Sequence, residues 1–581
     1  MRTFALETVV LAALLFSLAA LPLWAAAAGE EGTAAAAAAP GEPQYGGTLT
    51  VVTFKTHDES VRWDATLGKY VTNTFQSPFS ESLLVGDVDT HGPRGSGEYK
   101  FSVIEFVPLQ FTRGQLAESW EITSDPPGIV FHIRPGVMWT GNEHIGMEPR
   151  EFVAADAVHH LERFRNSSHA SDYYYIDKVY ADGDHRFVVE FNQGYSFWPF
   201  DLGYGTFAHH VAPETFDAPG GIQDWQNQVG TGPYILVDFV QGSTVAFVRN
   251  PNYWDTTTID GKEYQLPFTD EFVLPLIADE STRLAALRTG KIDWDTNLNV
   301  VSEATLDRTS PELVKYRHAR ASIYQVGFNA TSEPFNDINV RRAMHLGTDQ
   351  HTVAKNFFQE YDLHAHPLRE DAAGLFVPFE ELPESSRELY TYDPERAKKM
   401  LADAGYPDGF KTILNTADIL GWPTLAAAVK DQWSKIGVEA EVIVHEGAAL
   451  WPMLNPADDA DRYKGTLVFG NGNTMIPFHL SKCAGEHTYA VTGLDDPEYS
   501  ELFAAAMAEM DYDKMAAMGR ELFTRCIATA TIMPLGDGHD ITYAWPWVKN
   551  YFGEIETGFV SVGPIGARVW IDRALKKEMG Y

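Results

Sequence analysis

Apolar positions in the second half of the chain repeat with two clear periods. Ala397, Met400, Leu401 and Ala404 fall at i, i+3, i+4 and i+7, which predicts a helix with one buried stripe. Asp393 is placed to cap it, Pro394 takes its first position, and Gly405 ends it. A second helix carries Leu425, Val429 and Trp433 on one face and stops at Gly437. Val438, Ala440, Val442 and Val444 then alternate with period two, the pattern of a strand. With an earlier strand over residues 410–414, the series predicts a right-handed βαβ unit. Residues 47–54 are β-rich and open the first domain, and residues 504–526 read as one or two helices. Gly230-Thr-Gly-Pro-Tyr234 predicts a tight turn between two strands, closed by the Asn-Pro turn of Arg249-Asn-Pro-Asn-Tyr-Trp254. A βαβ unit of this kind is a building block of the α/β fold class.

The N-terminus has a different pattern. Residues 9–23 form an apolar run, Arg2 is the one basic residue ahead of it, and Ala25 to Ala28 offer a small-residue cleavage site. Glu7 is atypical of a basic leader. The run is short for a membrane span, so residues 1–28 are expected to be a cleaved export signal. Residues 29–44, mostly Ala, Gly, Glu and Pro, are expected to be a disordered linker. The first cysteine is Cys483, so no lipid-anchoring cysteine lies near the cleavage zone. Cys483 and Cys526 are the only two cysteines, and whether they pair is open at this point. No second long apolar run and no G-x-x-x-x-G-K-[ST] occurs, which excludes a membrane permease and a P-loop ATPase. The chain carries 44 basic and 80 acidic side chains, a net −36. Such a surface repels nucleic acid and anionic lipid, so no nucleic-acid partner is expected.

Beyond Gly230–Trp254, further segments recur in a family order. They are Leu116-Ala-Glu-Ser-Trp120 with Phe131-His-Ile-Arg-Pro-Gly-Val-Met-Trp139, Val153-Ala-Ala-Asp-Ala-Val158, and Ser281-Thr-Arg-Leu-Ala-Ala-Leu-Arg-Thr-Gly-Lys-Ile-Asp293. Phe328-Asn, Pro334-Phe335, Val340-Arg-Arg-Ala343, Asp393-Pro-Glu-Arg-Ala-Lys398 and Ala404-Gly-Tyr406 follow. Together they resemble the bacterial extracellular solute-binding proteins of the peptide/nickel type, which feed ABC importers. The resemblance implies a two-lobed periplasmic binding-protein fold with a hinged cleft and an enlarged first lobe. It places lobe I at 45–273, lobe II at 274–535 and a C-terminal return to lobe I at 536–581. The crossovers are expected near residues 272–276 and 533–536, both short, extended and proline-containing. It also implies a monomer in the periplasm or outside the cell, a small-molecule or peptide ligand, and ABC permease subunits on separate chains. A ligand-sensing or chaperone-like use of the same fold is the alternative.

Candidate chemistry is sparse. His159 and His160 point about 100° apart on a helix and rarely share an ion. His209-His210 is read the same way, and His364-x-His366, though suited to one face of a strand, is expected to lack the carboxylate or cysteine partner a metal would need. No G-x-S-x-G and no H-E-x-x-H occurs, and Gly470-Asn-Gly-Asn473 lacks the third glycine of a dinucleotide loop. No enzyme, metal or cofactor is therefore expected. The resemblance implies an aspartate for a peptide's amine and a basic residue for its carboxylate. Asn471 and Asn473 stand where that aspartate is expected, and no Arg, Lys or His lies between Lys411 and Lys430. Trp422 occupies that loop. Amides and an indole face suit a neutral, hydroxyl-rich solute such as an oligosaccharide. The candidate ligand-binding residues are Phe54, Trp422, Trp451, Asn471 and Asn473.

Overall fold

The computed structural model describes residues 41–53, 61–67, 72–102, 106–298, 300–319, 322–358, 361–364, 366–370, 372, 374–419, 421–454, 462–472, 480–481, 483 and 491–581. The expected export signal lies outside them. Pro43 is buried, and the backbone N–H of Arg573 donates to Gln44 Oε1, so the expected linker stops short of residue 44.

The chain enters as β1 (Thr48–Val52). It then builds a four-stranded antiparallel sheet, order β2-β3-β5-β4, from β2 (Ala117–Ser124), β3 (Pro127–Ile133), β4 (Ile176–Ala181) and β5 (Arg186–Phe191). Helix α1 (Ala154–Arg165) packs on it through Ala157, Leu161 and Phe164. The hairpin β6 (Tyr234–Val240) and β7 (Thr244–Arg249) follows, then β8 (Glu271–Pro275), α2 (Glu280–Arg288), β9 (Trp294–Leu298) and β10 (Val314–Ala319). The second half runs β11 (Ser322–Phe328), α3 (Ile338–Leu346), α4 (Gln350–Phe358), α5 (Pro394–Asp403), β12 (Phe410–Ala417), α6 (Trp422–Ser434) and β13 (Val438–His445). It continues through α7 (Gly447–Leu454), β14 (Thr466–Gly472), α8 (Pro497–Ala508), α9 (Tyr512–Ala528), β15 (Ile532–Gly536) and β16 (His539–Ala544).

Two larger sheets organise these strands. The seven-stranded sheet has the order β10-β16-β9-β1-β8-β7-β6, and the five-stranded sheet β13-β12-β14-β11-β15. In the first, β1 pairs in parallel with both β8 (Leu49 opposite Phe272) and β9 (Val51 opposite Trp294). In the second, β12 pairs in parallel with β13 (Phe410 opposite Val438) and β14 (Leu414 opposite Thr466).

The local expectations around α5 and α6 hold. Asp393 Oδ1 accepts from the Arg396 N–H at 2.9 Å and Pro394 opens the helix. Leu425, Val429 and Trp433 are fully buried. Strand β13 buries Val438 and Ala440, but Val444 is exposed, because the pattern outruns the part of the strand that α6 covers. Residues 497–528 form two helices, α8 and α9.

Other expectations are corrected. No strand ends at Gly230: residues 230–233 lead into β6, and the hairpin turn lies between Val240 and Thr244. Gly230 answers to a close approach instead, since a Cβ there would sit 1.8 Å from the Phe79 carbonyl oxygen. The first crossover is not at 272–276, because those residues include β8, which is paired on both edges inside the seven-stranded sheet with Phe272 and Leu274 fully buried. Short, extended and proline-containing describes an interior strand's end as well as a hinge. The chain leaves the seven-stranded sheet after Ala319, enters the five-stranded sheet at Ser322, and returns between Gly536 and His539, so residues 533–536, expected as the second crossover, are instead paired strand of β15. The strands that flank the two passages pair with each other. Ala319 pairs with His539 on one flank, and Tyr324 pairs with Gly536 on the other.

Candidate functional site

Strand direction fixes where the two sheets can form a site. In the seven-stranded sheet β1, β8, β9 and β10 all end at the edge where the chain leaves. In the five-stranded sheet Ser322 pairs with Gly472, so β12, β13 and β14 also end at the edge where the chain arrives. Both carboxyl edges therefore adjoin the crossovers. Ligands of open α/β sheets bind beyond the carboxyl ends of strands, where successive connections diverge. Each sheet has such a point. From β12 the chain goes through α6 to β13 on one side, then through α7 back across to β14 on the other. Around β1, helix α2 carries the chain from β8 on one side to β9 on the other.

The candidate residues distribute around these two points. Phe54 follows Thr53 at the carboxyl end of β1 and lies outside the described residues. Asn471 is in β14, its backbone opposite Ile323, and Trp451 is on α7. The side chains of both, and all of Asn473, lie outside the described residues. Trp422 opens α6 after Gly421, whose φ of 88° sets the turn out of β12. The residue is only 7% exposed, and its ring meets Tyr324 edge-on at 6.4 Å. A Cβ on Gly470 would lie 3.1 Å from Trp422 Cζ2, so the indole lies closely against the end of β14. Trp422 is thus mostly core, at the start of α6 and beside the end of β14.

Charge reaches the same edge through residues that local reading missed. Arg369 Nη1 donates to Asp537 Oδ2 at 2.8 Å, with both side chains nearly buried. Asp537 stands in the return crossover, where its backbone bridges that of Asp362. On the other sheet, Arg283 of α2 pairs with Asp295 of β9 at 3.2 Å, again in the interior. Asp295 lies opposite Val52, next to the end of β1. Taking such a pair out of water is costly, and removing one partner leaves the other charge buried and unpaired. Both pairs join residues far apart or in different elements, and no spacing in the sequence announces them.

The histidines serve the core. His160 and His210 stack at 4.1 Å, and His160 Nε2 contacts the Phe207 carbonyl oxygen at 2.8 Å. Burial pulls His209 and His210 down to about 4 and His160 well below its usual range, so all three are neutral at pH 7. A small cavity beside the stacked rings is lined by Leu161, Phe187, Asp201 and Leu202. His364 packs on Phe379. Among the described residues no group of three or more His, Cys, Asp or Glu is placed to hold a metal, and no helix is long and apolar enough to cross a membrane.

Comparison with known proteins gives this geometry a context. The family model for bacterial extracellular solute-binding proteins, family 5 Middle, matches residues 112–476. Heme-binding protein A of Haemophilus influenzae is 26% identical over 365 residues, covering 57% of this chain and 62% of that protein. The dipeptide-binding protein of Escherichia coli is 24% identical over 382 residues, covering 60% and 65%. The chain thus spans less than two thirds of the length of these two relatives. The solved periplasmic binding protein DppA of Helicobacter pylori, in complex with peptide STSA, superposes with a TM-score of 0.66 at 21% identity, over 91% of this chain and 99% of that one. The fold is that of the two-lobed periplasmic binding proteins.

Proposed function

The chain belongs to the bacterial extracellular solute-binding proteins of family 5, and from that premise we propose that it captures a peptide-class solute for a separate ABC permease. One observation carries the reading: the carboxyl edges of both sheets adjoin the same pair of crossovers. A solute held there touches both lobes. Contacts made only in the closed form stabilise closure, and the closed form is what the permease reads. We take lobe I as residues 43–319 with 539–581, and lobe II as 322–536. The mature protein is a monomer outside the cytoplasm, performs no turnover, and meets its permease as another chain. The peptide class is supported by the names of relatives that bind dipeptides and oligopeptides.

A second reading is favoured by Asn471 and Asn473, which stand where a charged anchor is expected. An amide can serve a hydroxyl as donor or acceptor, so a neutral oligosaccharide would suit that turn. Thermal unfolding of the purified mature protein against di- to pentapeptides, neutral oligosaccharides and heme separates the two. A ligand at 100 times its Kd adds about 2.7 kcal/mol and moves the midpoint visibly. The expected result is a shift with peptides that Asn471→Ala diminishes. A shift with oligosaccharides alone would replace the peptide reading, and no shift with any class would remove the capture role from these solutes.

A further inference from the structure

Cys483 and Cys526 meet inside the second lobe. Their Sγ atoms are 2.8 Å apart, and the two residues are 0% and 1% exposed. Cys526 is in the last turns of α9, and Cys483 follows β14 in the chain. Thr529 Oγ1 lies 3.8 Å and Thr531 Oγ1 3.7 Å from the Cys483 sulfur. His366 Nε2 lies 3.9 Å from the Cys526 sulfur. The segment around Cys483 is also held by the Tyr499 hydroxyl, which donates to the Leu480 carbonyl at 2.5 Å. The protein has no third cysteine with which either could pair.

We propose that Cys483 and Cys526 are joined as a disulfide in the exported protein, stapling the chain beyond β14 to helix α9. The compartment rests on the reading above, since such bonds persist outside the reducing cytoplasm. Closure joins Sγ to Sγ and releases two protons and two electrons. A protein or small-molecule disulfide of the export compartment takes the electrons and is itself reduced to two thiols, by way of a mixed disulfide with one of the two cysteines. Both sulfurs are shut away in the folded lobe, so the exchange takes place during folding. The finished bond is then protected from reductant in the native state. Its stabilisation comes mainly from restricting the unfolded chain across residues 483–526.

The test is a thiol count on the mature chain, exported and purified without reductant, then denatured and alkylated. The expected result is no alkylated cysteine and a mass two hydrogens below that of the dithiol, with two alkyl groups added once reductant is included. Two alkylated cysteines before reduction would overturn the bond. Protein refolded in reductant should melt roughly 3–6 °C below the oxidised form. The double variant Cys483→Ala with Cys526→Ala should melt near the reduced protein. Equal midpoints for oxidised and reduced protein would overturn the staple. These readouts involve no ligand, so they stand or fall apart from the solute panel.

Discussion

The two large sheets are assembled in opposite ways. The five-stranded sheet draws every strand from one stretch of chain, β11 through β15. The seven-stranded sheet begins with β1 near the start of the fold and is completed only by β16, after the whole second lobe has been made. Its completing strand is not at the margin: β16 lies between β10 and β9. Much of the second sheet is therefore specified by near neighbours in sequence, while the first depends on a strand that arrives last. Non-local pairing of that sort closes long loops before its contacts form.

Ending the chain after Gly538 should have the largest effect. That removes β16 and the buried Trp545 and Trp547 behind it. The expected outcome is loss of the single cooperative transition in circular-dichroism melting; an unchanged transition would mean that β10 and β9 do not need the strand between them. A smaller effect tests the local sheet. Trp433 is fully buried, and its Nε1 donates to Thr348 Oγ1 at 2.9 Å. Trp433→Ala should cost about 3–5 kcal/mol in urea titration, and a loss under 1 kcal/mol would show that α6 is loosely packed. The smallest effect is at a helix end. Asp393→Ala removes the cap of α5 and should cost about 1 kcal/mol, measured the same way, with Asp393→Asn retaining most of the stability.

What the sequence made legible follows the same division. The strand–helix–strand run β12-α6-β13 could be read because its determinants are local: a 3.6-residue stripe ending in Trp433, a glycine at 437, then alternation from Val438. Family motifs carried the fold class. The lobe boundary was misread because β8 and a hinge share the same short proline-ended pattern, and only pairing with β1 tells them apart. Trp422 was legible as a large aromatic but not as mostly core, since its burial depends on Tyr324 and on the bare backbone of Gly470. Arg369 and Asp537 could not be matched at all, because their contact joins segments with most of the second lobe between them.

The paired passages between the sheets have a mechanical consequence. A lobe on one tether can swivel. Here two tethers leave and arrive at adjacent strands, spaced at about 4.8 Å. Torsion would stretch one strap against the other, while bending across both strains neither. The easy motion is that of a door on two leaves of a hinge: every swing returns the same two edges face to face, in the same alignment, whatever lies between them.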